Sequence, residues 1–300
     1  MSCFRREVLY VILPYFNFCG FKRRRQLFID FVKRIENCRS IRIVVAECRG
    51  PSPLPKLNVW KHIRCVSESD IWIKESLVNA AVRRLPKDWE KMAWVDADIT
   101  FLNENWVDDT MHALNSVDVV QMFHSAIHLG PTGDILKRDK GFAFMAKGSG
   151  TPYMKNDKYG YWHPGYAWAC THKAWAKMDG LIDWAILGSA DRHMAMALIG
   201  KAQDSAPGNV HKNYSKLLLD FQNRVRHLKL SWVDGTIVHH WHGSLENRRY
   251  RERWDILTKL KYDPFSDVGL TCSGVVQLTE SGERLRKPIE EYFLARAEDE

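Results

Sequence analysis

The chain has 300 residues, 45% hydrophobic and 27% charged, which excludes a disordered polymer and allows one large domain or two small ones. A formal charge of +8 favours anionic partners, whether nucleotide diphosphates, nucleic acid or an acidic membrane surface. Seven scattered cysteines (3, 19, 38, 48, 65, 170 and 272), odd in number and without a CxxC pair, argue for a reducing compartment and against a zinc ribbon.

Arg5-Arg6 followed by the apolar run 8–18 imitates a signal peptide. Pro14 and Asn17 interrupt the run, and it is too short to span a bilayer. It therefore reads as the first buried strand, over 8–13, with a cytoplasmic location expected. The period of Leu27, Phe31 and Ile35 predicts a helix over 21–36, whose Lys22-Arg-Arg-Arg25 run reads as a solvated face. A second strand over 41–46 ends at Glu47, and Arg49 to Pro55 is a loop. A strand over 59–66 and a helix over 73–85 follow. This alternation predicts a mostly parallel, doubly wound sheet, in which ligands sit at the carboxyl ends of strands.

Met92-Ala-Trp-Val95 then runs straight into Asp96-Ala-Asp98. Alternation at a strand end sends both carboxylates to one side, and two hard oxygen ligands on one rim suit Mg²⁺ or Mn²⁺ beside a phosphate. A helix over 106–114 and a strand over 117–122 come next. The stretch 123–161 has no sustained period and holds six glycines (Gly130, Gly133, Gly141, Gly148, Gly150 and Gly160). A loop this long inside a compact domain is usually functional, so it is expected to be an active-site flap.

Further on, Trp162-His163-Pro-Gly165-Tyr166-Ala-Trp168 precedes a helix over 171–178. Gly188-Ser-Ala-Asp191 opens a helix reaching 199. Glycine there lets a substrate approach the backbone, and the acid lies near a positive helix end. Strand 235–243 carries three of the twelve histidines, His239, His240 and His242. His240 and His242 share a face, and an imidazole from that face can add nitrogen to an oxygen-bound Mn²⁺. Arg248 and Arg249 open a helix to about 260, where a guanidinium can grip a diphosphate in bidentate fashion. A strand over 274–278 and a terminal helix close the chain. Trp168, Trp175, Trp184, Trp232 and Trp241 gather in the second half, as sugar-stacking platforms or as core.

The Asp96-Ala-Asp98 strand end, the late histidines and the Gly-rich acidic segment resemble nucleotide-sugar glycosyltransferases of the GT-A fold, close to family-2-like members of bacteria and large viruses. The resemblance implies a Rossmann-like central sheet flanked by helices, with a nucleotide-sugar-binding half over 1–122 and an acceptor half over 123–300 of the same domain. It implies transfer from a nucleotide-diphosphate donor to a glycan or other hydroxyl acceptor with Mn²⁺ (or Mg²⁺), inverting if Asp191 is the base. Pro14, Tyr15, Asn17, Glu47, Lys74, Asn79, Asp96 and Arg248 would contact the donor. Trp162, His163, Gly165, Tyr166 and Trp168 would face sugar and acceptor, while Asp96, Asp98, His240 and His242 would hold the metal. Gly188-Ser-Ala-Asp191 departs from the more glycine-rich or doubly acidic form of such segments.

Two rival readings remain. Asp96-Ala-Asp-Ile-Thr100 also fits the DxDxT motif of haloacid-dehalogenase-like phosphatases, although that motif normally follows the first strand of its domain. Nucleic-acid binding suits the basic balance, but no recognition motif appears and the charge is not gathered in one block.

Overall fold

A computed structural model describes residues 7–150 and 162–300. The first apolar run forms β1 (Leu9–Tyr15), and its central residues Val11, Ile12 and Leu13 are fully buried because parallel strands flank it on both sides. Pro14 lies beyond the last residue paired with one neighbour, so its missing N–H breaks no ladder there, and the strand outlasts the expected end at 13. Helix α1 (Lys22–Ile35) buries Leu27, Phe28, Phe31, Val32 and Ile35, a stripe at helical spacing. β2 (Ile41–Cys48), β3 (Lys61–Cys65), α2 (Lys74–Val82) and β4 (Lys91–Val95) follow close to the expected positions.

The chain then leaves the large sheet at Asp96–Asp98 and enters a small one as β5 (Ile99–Phe101). α3 (Trp106–Ala113) returns it to the large sheet as β6 (Val119–Gln121). The stretch expected to be a flap is ordered over most of its length: β7 (Ser125–Leu129), β8 (Ile135–Lys140) and α4 (Phe142–Lys147). Its short, mostly exposed hairpin carries too few apolar residues to show a period; residues 151–161 of the expected flap lie outside the described residues. β9 (Ala167–Thr171), for which the sequence shows no alternation, is wedged antiparallel between β4 and β6 and buried on both faces.

After α5 (His172–Met178) and α6 (Ala190–Leu198) comes α7 (Lys212–Val225), where the sequence analysis assigned no element. Its buried Tyr214, Leu218, Phe221 and Val225 do have the helical period. β10 (Leu230–Trp232) extends the large sheet and β11 (Thr236–His239) the small one. The expected helix from 247 is a short 3₁₀ turn, and α8 (Trp254–Lys259) starts only later. β12 (Val268–Leu270) and β13 (Val276–Leu278) pair with each other before α9 (Arg286–Leu294).

The seven-stranded sheet has the order β10-β6-β9-β4-β1-β2-β3, parallel except at β9. One face buries α2 and α4 to α9, the other α1 and α3. This is an α/β fold with a mostly parallel, Rossmann-like central sheet flanked by helices, the arrangement expected of a GT-A fold. The small sheet, β5-β11-β7-β8, grows out of the carboxyl ends of β4, β6 and β10. Strands from both halves of the chain share both sheets. Among the described residues, no helix is long and apolar enough to cross a membrane.

Candidate active site

The turn from β4 into β5 is held at both ends. Asp96 N donates to Tyr166 O at 2.8 Å, and His240 N donates to Asp98 O at 2.8 Å. Between these anchors Asp98 faces the end of β11, where its Oδ2 lies 2.9 Å from His242 Nε2 and 3.8 Å from His239 Nε2. The two imidazole nitrogens are 3.2 Å apart. Burial alone would raise the Asp98 pKa, but the His242 hydrogen bond, the neighbouring imidazoles and Arg248 hold it well below the carboxylate range. Burial depresses His239 far below the usual imidazole value despite Asp98, keeping the ring neutral as a ligand must be. Asp98 Oδ1 is buried with no hydrogen-bond partner among the described residues.

One carboxylate and two imidazoles converging in this way suit a borderline cation such as Mn²⁺ better than Mg²⁺, and the orphaned oxygen is the atom such an ion would satisfy. His240, expected as a ligand, is turned away: its Nε2 is 2.8 Å from Thr100 Oγ1. β11 ends at His239, so the two-residue alternation does not continue to 242. Gly243, at φ +87 and against the carbonyls of 296 and 297, follows the turn that folds His242 back beside His239.

Asp96, also expected at the metal, lies outside this cluster. Its Oδ1 is 2.7 Å from Lys74 Nζ, which is also 3.0 Å from Asp191 Oδ2. The chain changes sheets between the two acids, so they do not stay on one side as they would along a continuing strand. Burial pushes the Asp96 carboxyl up to about 6 against the pull of Lys74, helped by Asp191 and Asp98. Burial opposes the Lys74 charge, but Asp191 and Asp96 win and hold its pKa raised. Burial and Asp191 push the adjacent Glu75 up to about 8 while it accepts a 2.9 Å bond from Trp72 Nε1. Asp191 stands in the first turn of α6, after Gly188 and Ser189, both at positive φ. Arg253 Nη2 donates to Ser189 Oγ at 2.6 Å and holds that strained turn.

Two cavities meet here. The smaller, about 100 Å³, contains Pro14, Tyr15, Arg24, Asp98, His239 and His242. The larger, about 320 Å³, contains His163, Gly165, Asp191 and Arg253. Trp72, Asp96, Tyr166, Arg248 and Arg296 line both. Arg248 Nη2 approaches His242 Nε2 at 3.0 Å. Arg24, read from sequence as a solvated face, points inward and donates to Glu298 Oε2 at 2.9 Å.

Several expected contacts lie elsewhere. Asn17 closes the turn before α1 through Phe21, and Glu47 accepts from Leu54 N at 2.8 Å and meets His62 at 2.7 Å. Asn79 ties α2 to Leu181 and Asp183. None of these three lines either cavity, since each polar group serves a nearby backbone or side chain. Trp162 packs on Phe142, and Trp168 is buried with its Nε1 donating to Pro164 O, so both are core.

Sequence reasoning missed Trp72, Arg296 and Glu298. Trp72 stands just ahead of α2, and the other two follow a polar terminal helix, with no local pattern to mark them. Buried Glu298 is bridged by Arg24 and by Arg296, the latter at 2.5 Å. Its carboxyl is held well below the usual range because these arginines outweigh burial.

No family model matches the chain, and no curated protein does. Among solved structures it is similar to the catalytic domain of Drosophila beta1,4-galactosyltransferase 7 in complex with xylobiose, at 14% identity and TM-score 0.40 over 91% of this chain and 93% of that one. The same figures hold for a mutant of that enzyme in complex with manganese, UDP-Gal and xylobiose. A putative nucleotide-diphospho-sugar transferase from Desulfovibrio desulfuricans G20 is similar at 13% identity and TM-score 0.38, over 81% of this chain and 87% of that one.

Proposed function

We propose that the protein is a metal-dependent glycosyltransferase that moves a sugar from a nucleotide-diphosphate donor to an acceptor hydroxyl, with inversion. The observation that carries this reading is the meeting of Asp98, His239 and His242 in one cavity while Asp191 faces the cavity beside it. Asp98, His239 and His242 would hold a divalent ion, whose charge would neutralise a leaving diphosphate. Arg248 and Arg296, on the shared wall, grip the phosphate oxygens. Pro14 and Tyr15 border the nucleoside end, and Asp96 stands toward the ribose and sugar. The acceptor enters the larger cavity past His163, Gly165 and Tyr166.

Asp191 takes the proton from the acceptor hydroxyl as it attacks the anomeric carbon. Lys74 holds Asp191 and Asp96 in register from below, and its charge keeps two neighbouring acids compatible. Attack from the Asp191 side, opposite the diphosphate, gives inversion. The test is to incubate purified protein with Mn²⁺ and a panel of nucleotide sugars and follow release of nucleoside diphosphate. Metal-dependent release is expected with at least one donor. Silence across the panel, or hydrolysis of a simple phosphomonoester instead, overturns the reading.

A further inference from the structure

We propose that His128, Asp139 and His163 form a second site for a divalent transition-metal ion, on the wall of the larger cavity. One ligand atom from each residue lies within 4.8 Å of the other two. Metal–ligand bonds of about 2.1 Å place ligand atoms roughly 3–4 Å apart, so small side-chain movements close the set. The three residues come from β7, β8 and the segment leading to β9, so local sequence does not force their convergence.

The ligands are oriented in advance. His128, 5% exposed, has its Nδ1 3.2 Å from Tyr166 OH, which turns Nε2 toward Asp139. That Nε2 lies 2.9 Å from Asp139 Oδ2 yet has no hydrogen-bond partner among the described residues. Against the effect of burial, the contact helps to hold the Asp139 carboxyl below its usual value, so the imidazole and the carboxylate already face one another across the gap an ion would fill. His163 is stacked flat on Tyr166, with centroids 4.0 Å apart and planes at 2°. Its Nδ1 accepts from Gly165 N at 3.2 Å, so ligation requires this weak bond to be given up or the ring proton to move from Nε2 to Nδ1. Tyr166 itself holds a strained φ of +78 between this group and His239.

Two imidazoles and one carboxylate favour a borderline transition ion over Ca²⁺ or Mg²⁺. One charge competes: Lys137 Nζ lies 2.9 Å from Asp139 Oδ2, on a side chain that is 44% exposed and can swing into solvent. The His128 and His239 rings are 5.3 Å apart, so this centre adjoins the Asp98 centre without sharing a ligand.

The test is equilibrium binding of Co²⁺ alone to the full chain, read by ligand-field absorption, which separates nitrogen and oxygen ligands from thiolates. Two nitrogen/oxygen equivalents per chain are expected, one for each cluster. Asp139→Asn and His163→Gln should each leave one, and Asp98→Asn should leave the other. Lys137→Met should tighten the second equivalent by roughly tenfold, a gain that misfolding cannot produce. A single equivalent in the unmodified chain, or two undiminished in Asp139→Asn and His163→Gln, overturns the proposal. Ion binding is scored without sugar transfer, so an inactive protein that retains both equivalents sinks the transferase reading and leaves this one standing.

Discussion

Asp98 offers one oxygen to imidazole and keeps the other buried without a hydrogen-bond partner among the described residues, so asparagine in its place keeps the shape and removes the charge. Asp98→Asn should lose metal-dependent turnover by at least about 100-fold, with Mn²⁺ affinity falling alongside, measured by product release and metal titration. Asp191→Asn should keep donor binding while turnover drops by about 10²–10⁴, because the proposed proton acceptor is lost while an amide oxygen can still accept from Lys74. Equal loss of donor binding in both variants would deny them separate roles. Glu75 gives a pH signature. Its carboxyl is raised from 4.5 to about 8, so the folded chain binds a proton that the unfolded chain has released. The resulting stability is complete below pH 4.5 and fades as pH rises through 8. Glu75→Gln should therefore flatten the decline in urea midpoint between about pH 5 and 8. At this scale the sequence singled out Asp98 and Asp191, which the structure places in adjoining cavities, since acids at a strand end and a helix start are visible locally. It paired His240 with His242, whereas the structure groups His239 with His242, because the direction of an imidazole beyond the last paired residue depends on a turn, not on strand period.

Helix α1 follows Phe21, which offers no side-chain cap, and has no acid in its first turn. Asp299 supplies the cap from the other end of the chain, accepting from Lys22 N at 3.0 Å and Arg23 N at 2.7 Å. Asp299→Ala should cost about 0.5–1 kcal/mol, the low end of capping effects because the group is exposed, read as a fall in thermal midpoint. The Gly188–Ser189 turn ahead of α6 invites a second test. A methyl at Gly188 would meet Arg253 and Trp72 only at 3.4 and 3.5 Å, so Gly188→Ala is a matter of backbone strain at φ +86. A loss of roughly 1–2 kcal/mol in stability is expected, with lower turnover as Asp191 shifts. Elements with one buried stripe or a fully apolar run, such as α1, β1 and β2, could be read from their residues. β9 could not, because a strand inserted antiparallel between two others is defined by neighbours distant in sequence. The β7–β8 hairpin hid for other reasons: β8 is exposed along most of its length, and β7 buries His128 while leaving Ile127 and Leu129 only half-buried.

Three strands of the large sheet continue into the small one: β4 into β5 through 96–98, β6 into β7 through 122–124, and β10 into β11 through 233–235. Asp98 and the end of β11 with His239 lie next to these seams, which explains how an acid and imidazoles far apart in the chain meet. Glu298 adds a long-range tie, and removing its charge should leave Arg24 and Arg296 without their buried counter-ion. Glu298→Gln is expected to cost about 3 kcal/mol in denaturant unfolding near neutral pH. Its depressed carboxyl contributes stability above about pH 4.5 that is lost as pH falls toward the folded value. Because the seams interleave the two halves, anyone seeking a new acceptor by grafting residues 123–300 from a distant cousin onto 1–122 would have to rebuild all three crossings at once. Recombination at a single breakpoint should yield insoluble hybrids, whereas exchange of the exposed β7–β8 tip leaves the crossings intact and offers the more promising route to altered substrate choice.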